Sequence, residues 1–165
     1  RIHYRSPSSV CRSMSRSVVD IRPAQAGDAD ALAPHLRQAD LAEIAAGSGR
    51  DPLEVLRLGI AHSTRSWTAW VGDEVFAIFG VGPLSLVGGI GAPWLLGSDL
   101  IDKHPHAFIR HARPYIAQMR ALFPTLRNVV HAENAKAIRW LKRAGFQIFA
   151  PTAHGRGVFH PFEMR

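Results

Sequence analysis

The hydrophobic pattern along the chain predicts strands and helices in a definite order. Runs that are apolar at consecutive or alternate positions indicate strands, and apolar residues three and four positions apart indicate helices. The predicted strands are residues 18–22, 66–71, 74–81, 90–96, 126–131, 146–150 and 158–164. The predicted helices are residues 28–36, 39–46, 52–62, 108–123 and 134–144. Helices and strands are therefore interleaved, and no internal repeat is present.

Local signals mark the ends of several of these elements. Asp51, directly before a proline, has the residue type of a helix cap, and Asn134 is placed in the same way before the last helix. Gly145 follows that helix as a left-handed stop, and Gly72 predicts a hairpin turn between two strands. Residues 75–79 are apolar at every position, which predicts a strand covered on both faces.

Length and composition indicate one globular domain with a core of its own. The chain has 165 residues, of which 47% are hydrophobic and 20% charged, and this excludes a disordered or collagen-like chain. We interpret residues 1–17 as a disordered basic extension, with Met14 as the natural start as the alternative, and residues 18–165 as the domain. The extension contains no apolar run of signal-peptide length. Cys11 is the single cysteine, so neither an internal disulfide nor a cysteine-based zinc site is expected.

Charge, hydropathy and histidine spacing bear on three further kinds of partner: phosphate groups, a membrane and a metal ion. Residues 103–165 carry 11 basic residues and two acidic ones, and such a basic region suits the phosphates of a nucleic acid or a coenzyme, with a merely solvated basic face as the alternative. Residues 75–98 are uncharged but rich in glycine, so we expect two strands and a turn rather than a membrane span. His104 and His106 point to different faces of a helix, so no metal site is predicted.

The segment from Asn134 to Phe146 carries the pattern Asn-x-x-Ala-Ile, followed by a helix that ends in Gly-Phe. With the order of elements over residues 18–164, this pattern resembles the GNAT superfamily of N-acetyltransferases. The resemblance implies an α+β, three-layer α/β/α, GNAT-like acyl-CoA N-acyltransferase fold whose central twisted mixed sheet is flanked by helices. It also implies acetyl-CoA as the cofactor. The cofactor-binding residues that it implies are Trp94, Leu95, Leu96, Gly97, Ser98, Asn134 and Ala137.

A narrower resemblance rests on Arg37, Asp40 and Glu43, together with residues 79–81, 94–97 and 138–141. These are similar to a phage-encoded GNAT-like family that includes internal virion proteins of short-tailed phages. The resemblance implies virion proteins as partners and a location in the host cytoplasm or the virion. The three charged residues share one helix face, where they either line a site or form a solvated row of salt bridges.

Three departures from the GNAT pattern weaken the expected acetyl-CoA site. Residues 97–105 lack the glycine pair of a pyrophosphate loop and contain two aspartates that would repel phosphate. Leu141 stands where many GNAT enzymes have a tyrosine that protonates the leaving thiolate, and strand 90–96 offers no carboxylate base. His131 and Glu133, just beyond the next strand, are the remaining catalytic candidates.

Two functions follow from these features. The first is a virion-associated or assembly protein of a phage or prophage that has a degraded acetyl-CoA site. The alternative is an acyl-CoA-dependent N-acetyltransferase that acts on an unknown amine. The two differ in whether the protein binds acetyl-CoA.

Overall fold

A computed structural model describes residues 19–165, except for the side chains of residues 106–109. The predicted extension at residues 1–17 lies outside the described residues. The strands are β1 (Val19–Pro23), β2 (Arg65–Val71), β3 (Glu74–Ser85), β4 (Ile90–Gly97), β5 (Thr125–His131), β6 (Gln147–Ile148), β7 (Thr152–His154) and β8 (Gly157–Met164). The helices are α1 (Ala26–Leu32), α2 (Gln38–Gly47), α3 (Pro52–His62), α4 (Leu100–Lys103), α5 (Pro105–Leu122) and α6 (Ala135–Ala144).

All eight strands belong to one mixed sheet. Its order is β1-β2-β3-β4-β5-β8-β6, and β7 pairs with β8 outside this path. Neighbouring strands are antiparallel, except that β4 and β5 are parallel. The predicted α+β class with a central mixed sheet flanked by helices is confirmed. No helix among the described residues is long and apolar enough to cross a membrane.

The sheet separates two apolar cores, which explains the continuous apolar run in β3. Helices α1, α2 and α3 bury Leu32 and Leu56 against Ile78 on one face of the sheet. Helices α5 and α6 pack on the other face, where Phe76 lies in the second core. Residues 75–79 are all buried, so the prediction of a strand covered on both faces is confirmed.

The local signals at the element ends act as predicted. Asp51 Oδ1 accepts a hydrogen bond from Glu54 N at 3.1 Å at the start of α3. Gly72 has φ +61° in the hairpin between β2 and β3, and Gly145 has φ +101° after α6. Both values lie in the left-handed region, where a residue without Cβ is favoured.

Two predicted helices differ from the structure around prolines. Helix α1 ends at Leu32 because Pro34 lies in a 3-10 turn, Ala33–His35, rather than in an α-helix. Helix α5 begins at Pro105 instead of residue 108, since proline fits the first turn of a helix, and it continues through Pro114. The short helix α4 was not predicted.

Candidate functional site

The parallel strands β4 and β5 are paired only at their first residues and then part. Ile90 lies opposite Thr125 and Gly91 opposite Leu126, and the register ends there. Beyond this point Asn128 Nδ2 donates to the carbonyl of Pro93 at 2.8 Å, so a side chain spans the gap. The N–H and C=O of one residue point to the same edge of a strand, so the carbonyl of Pro93 faces β5. Because Pro93 is a proline, it has no N–H to donate at that edge. Strand β4 thus lacks a backbone donor toward β5 where the two strands separate.

A cavity of about 580 Å³ lies between the parted ends of β4 and β5, and we call it the slot. Apolar side chains of the two strands and of α5 and α6 form most of its wall, and Leu95, Ile116, Val129, Ala137 and Leu141 are among them. A cavity of this size with few polar groups is typical of a small-molecule site. The parting of the two strands therefore creates a binding cavity that adjacent paired strands would not leave open.

Helix α2 closes one side of the slot with a buried ion pair. Arg37 Nε donates to Asp40 Oδ2 at 2.9 Å, and both side chains are more than nine-tenths buried. The same oxygen accepts from Gly97 N at 2.7 Å, while Gly97 O accepts from Arg37 N at 3.0 Å. Burial raises the pKa of Asp40, and the hydrogen bond and charge of Arg37 oppose that rise. The pair therefore fastens α2 to the end of β4.

One turn further along α2, Glu43 connects the helix to the end of β5. Glu43 Oε2 accepts from His131 N at 3.2 Å and from Asn134 Nδ2 at 3.3 Å. Burial raises the pKa of Glu43, and these two hydrogen bonds partly offset the rise. Asn134 Oδ1 accepts from Ala137 N at 3.2 Å, so the predicted helix cap is confirmed and the same side chain also positions Glu43.

Charged residues from both sides meet at the mouth of the slot. Lys136 Nζ in the first turn of α6 lies 3.1 Å from Asp102 Oδ2 of α4, and both side chains are partly or largely exposed. Arg139 and Arg143 follow at positions three and seven residues after Lys136 and line the slot with it. Within the part of the chain that the structure describes, neither arginine forms an ion pair.

The residues predicted to bind the cofactor do not all lie at the slot. Its walls include Trp94, Leu95, Leu96, Asn134 and Ala137. Trp94 Nε1 also donates to Ser63 Oγ at 2.8 Å, which orients the indole against α3.

Gly97 and Ser98 do not line the slot. Both Gly97 backbone groups are hydrogen-bonded to the α2 region, and the backbone N–H and hydroxyl of Ser98 donate to Phe76 O at 3.0 and 3.2 Å. The backbone at the end of β4 is thus engaged within the protein.

The two catalytic candidates predicted from the sequence lie beside the slot rather than in its wall. His131 ends β5, and its ring contacts Phe159 edge-on at a centroid distance of 5.2 Å. Glu133 is exposed in the turn before α6. Of the described residues, neither is among those that form the slot. Their assignment as catalytic residues stays a prediction.

The charged residues of α2 have a different environment from the solvated row considered above. Arg37 is 8% and Asp40 3% exposed, so the interpretation as a solvated row of salt bridges is wrong. The reason is a tertiary contact: an antiparallel β-bridge between Leu36 and Ser98 holds the start of α2 against the end of β4, so this helix face is covered. Their helical spacing was visible in the sequence, but the partner of that helix face was not.

Solved structures with this fold include a GCN5-related N-acetyltransferase and other proteins described as acetyltransferases. A GCN5-related N-acetyltransferase from Kribbella flavida is 17% identical, covers 91% of this chain and 99% of its own, and has a TM-score of 0.65. Ard1 from Thermoplasma volcanium is 16% identical with a TM-score of 0.66, and 88% of this chain and 96% of that one are covered. YncA from Salmonella typhimurium, solved with its cofactor acetyl-CoA, is 14% identical with a TM-score of 0.63, over 89% of this chain and 93% of that one.

These likenesses show that the chain has the GNAT fold, as its sequence motif predicts. No protein-family model matches the chain, and no curated protein matches it in sequence. None of the structures named above is described as a virion protein. A phage origin and a place in the virion therefore stay predictions from the sequence resemblance, as do nucleic-acid binding and the location in the cell.

Proposed function

We propose that this protein is an acyl-CoA-dependent N-acetyltransferase that transfers an acetyl group to an amine. The observation that carries the proposal is the parting of β4 from β5 after two residue pairs, which opens a 580 Å³ slot between parallel strands. The likeness to a structure that contains acetyl-CoA supports the same assignment. The departures in residues 97–105 do not abolish the slot, because most of its wall comes from β4, β5, α5 and α6.

The residues at the slot fit the parts of acetyl-CoA in chemical terms. The apolar wall that contains Leu95, Val129 and Ala137 suits the slender pantetheine arm, whose burial is favourable at roughly 25 cal/mol per Å². The exposed cations Lys136, Arg139 and Arg143 suit its phosphates. Acetyl-CoA supplies an acetyl group as a thioester, which an amine nitrogen attacks with loss of the thiolate.

The amine must lose a proton in this reaction, and Glu43 is the group that we assign to accept it. Its Oε2 is held by two donors, whereas Oε1 makes no hydrogen bond within the described residues, and the side chain lines the slot. Asp40 is less suited, because the Arg37 guanidinium neutralises its charge and Gly97 N also donates to its Oδ2. A carboxylate with a raised pKa is a stronger base at neutral pH, and a positioned base contributes about 10²–10⁴-fold to a rate.

The test is release of the CoA thiol from acetyl-CoA in the presence of a panel of amines, including peptides and polyamines. Glu43→Gln should lower kcat by about 10²-fold or more and leave the Kd of acetyl-CoA near that of the wild type. Glu133→Gln, at the exposed carboxylate two residues after β5, is the matched control and should retain activity. Loss of activity in the control alone would assign the base to Glu133, and absence of thiol release with every amine would contradict the proposed function.

A further inference from the structure

The mouth of the slot is spanned by an ion pair whose two ends come from elements that follow the two parted strands. Asp102 belongs to α4, which follows β4, and Lys136 belongs to α6, which follows β5. Their side chains are 38% and 63% exposed. An exposed pair contributes only about 0–1 kcal/mol, so a stronger partner can displace either group at small cost.

The backbone at the end of β4 is not available to bind phosphate. The N–H of Gly97 donates to Asp40, and the N–H of Ser98 donates to the carbonyl of Phe76. A ligand would have to break these hydrogen bonds to use either donor, and breaking the first would also disturb the buried pair with Arg37. Phosphate groups at this mouth therefore need partners other than these two N–H groups.

Three cations on one face of α6 provide such partners. Lys136, Arg139 and Arg143 line the slot, whereas Lys142 of the same helix does not. Arg139 and Arg143 have no acidic partner among the described residues, and Lys136 has only Asp102. The face thus carries two uncompensated positive charges and a third that is neutralised by a displaceable carboxylate.

Resting on the proposed function, we propose that the phosphates of CoA bind to Lys136, Arg139 and Arg143, and that they displace Asp102 from Lys136. Asp102 then acts as an internal competitor that occupies Lys136 while the slot is empty. A pyrophosphate oxygen makes a charge-assisted hydrogen bond that is stronger than the exposed ion pair it replaces. The predicted consequence is that removal of the Asp102 charge strengthens binding of CoA, although it removes an ion pair.

The test compares CoA with pantetheine, which lacks the phosphates, by isothermal titration calorimetry of the full chain and its variants. Asp102→Asn should bind CoA about two- to fivefold more tightly than the wild type. Lys136→Gln should bind it about tenfold more weakly. The affinity for pantetheine should be the same in all of them, and Lys142→Gln is the matched control that should bind CoA like the wild type.

The possible failures are distinguishable. If CoA binds but Asp102→Asn binds it equally or more weakly, the pair is merely structural and this inference is overturned while the proposed function stands. An equal loss in Lys136→Gln and Lys142→Gln would show an effect of overall charge and would also overturn it. If neither CoA nor pantetheine binds to the wild type, the proposed function is overturned together with this inference.

Discussion

Two ion pairs stand at the slot, and they differ in burial and in what they hold. The Arg37–Asp40 pair on the α2 side is buried and is joined to the backbone of β4 through Gly97. The Asp102–Lys136 pair on the α6 side is largely exposed and joins only two side chains. The first pair holds α2 against β4, and the second is the pair that we propose a ligand displaces.

The difference shows how charge can serve both structure and binding within one cavity. A buried pair is held in place because an unpaired charge in the interior costs several kcal/mol. An exposed pair is weak because water and salt compete with it. Substitutions in the two pairs should therefore affect different measurements, stability for the first and ligand affinity for the second.

The largest expected effect comes from Asp40→Ala, which leaves the buried Arg37 guanidinium and Gly97 N without their acceptor. Loss of one partner of a buried pair costs about 3–5 kcal/mol of unfolding free energy. Urea denaturation measures this loss directly, and Asp30→Ala at the exposed pair with Arg57 is the control. A loss below about 1 kcal/mol would mean that the buried pair is no more important than a surface one.

A smaller loss is expected from Asn134→Ala, because this residue caps α6 and also donates to Glu43. Removal of a helix cap costs about 0.5–2 kcal/mol. Asn134→Ser keeps a capping oxygen but is too short to maintain the contact with Glu43. Thermal unfolding should place the serine variant between the alanine variant and the wild type; equal stability of the two variants would contradict the capping role.

The raised pKa of Glu43 predicts a pH dependence of stability with a definite sign. A carboxyl with a higher pKa in the folded state binds its proton more tightly there, so the unfolding free energy falls as pH rises from about 4.5 through the folded pKa. Glu43→Gln removes this contribution, and the variant should gain stability relative to the wild type over that range. Urea titrations between pH 4 and pH 8 measure the difference, and a difference that shrinks as pH rises would contradict the assignment.

The smallest expected effect on stability belongs to the exposed pair. Asp102→Ala should change the unfolding free energy by less than about 1 kcal/mol, and 0.5 M salt should remove most of the change. Urea denaturation at low and high salt makes this measurement. A loss as large as that of Asp40→Ala would erase the distinction between the two pairs.

The sequence predicts those parts of the fold that depend on neighbouring residues. The cap at Asp51, the turn at Gly72 and the stop at Gly145 need only a few consecutive residues, and each is confirmed. The extent of α1 and α5 was misjudged, because a proline is compatible both with a helix start and with a break. The order of strands and helices follows from the hydrophobic periodicity alone, without knowledge of the tertiary contacts.

The candidate site depends on contacts between distant parts of the chain, and the sequence predicts it only in part. Glu43 is 88 residues from His131, and nothing in its helical spacing shows that its carboxylate accepts a hydrogen bond from the backbone of His131. The parting of β4 and β5 is also hidden, because the apolar residues of β4 and the apolar Leu126, Val129 and Val130 of β5 would suit paired strands equally well. Pro93 is the signal that could have found it, since a proline in an internal strand removes a ladder donor.

Hydrogen–deuterium exchange with and without millimolar acetyl-CoA tests whether acetyl-CoA binds between the parted strands. We predict slower exchange in residues 90–97, 125–131 and 134–141, which border the slot. The hairpin formed by β2 and β3 at residues 70–75 does not line the slot and should exchange at an unchanged rate. Unchanged exchange throughout, or protection confined to residues outside the slot, would contradict the account.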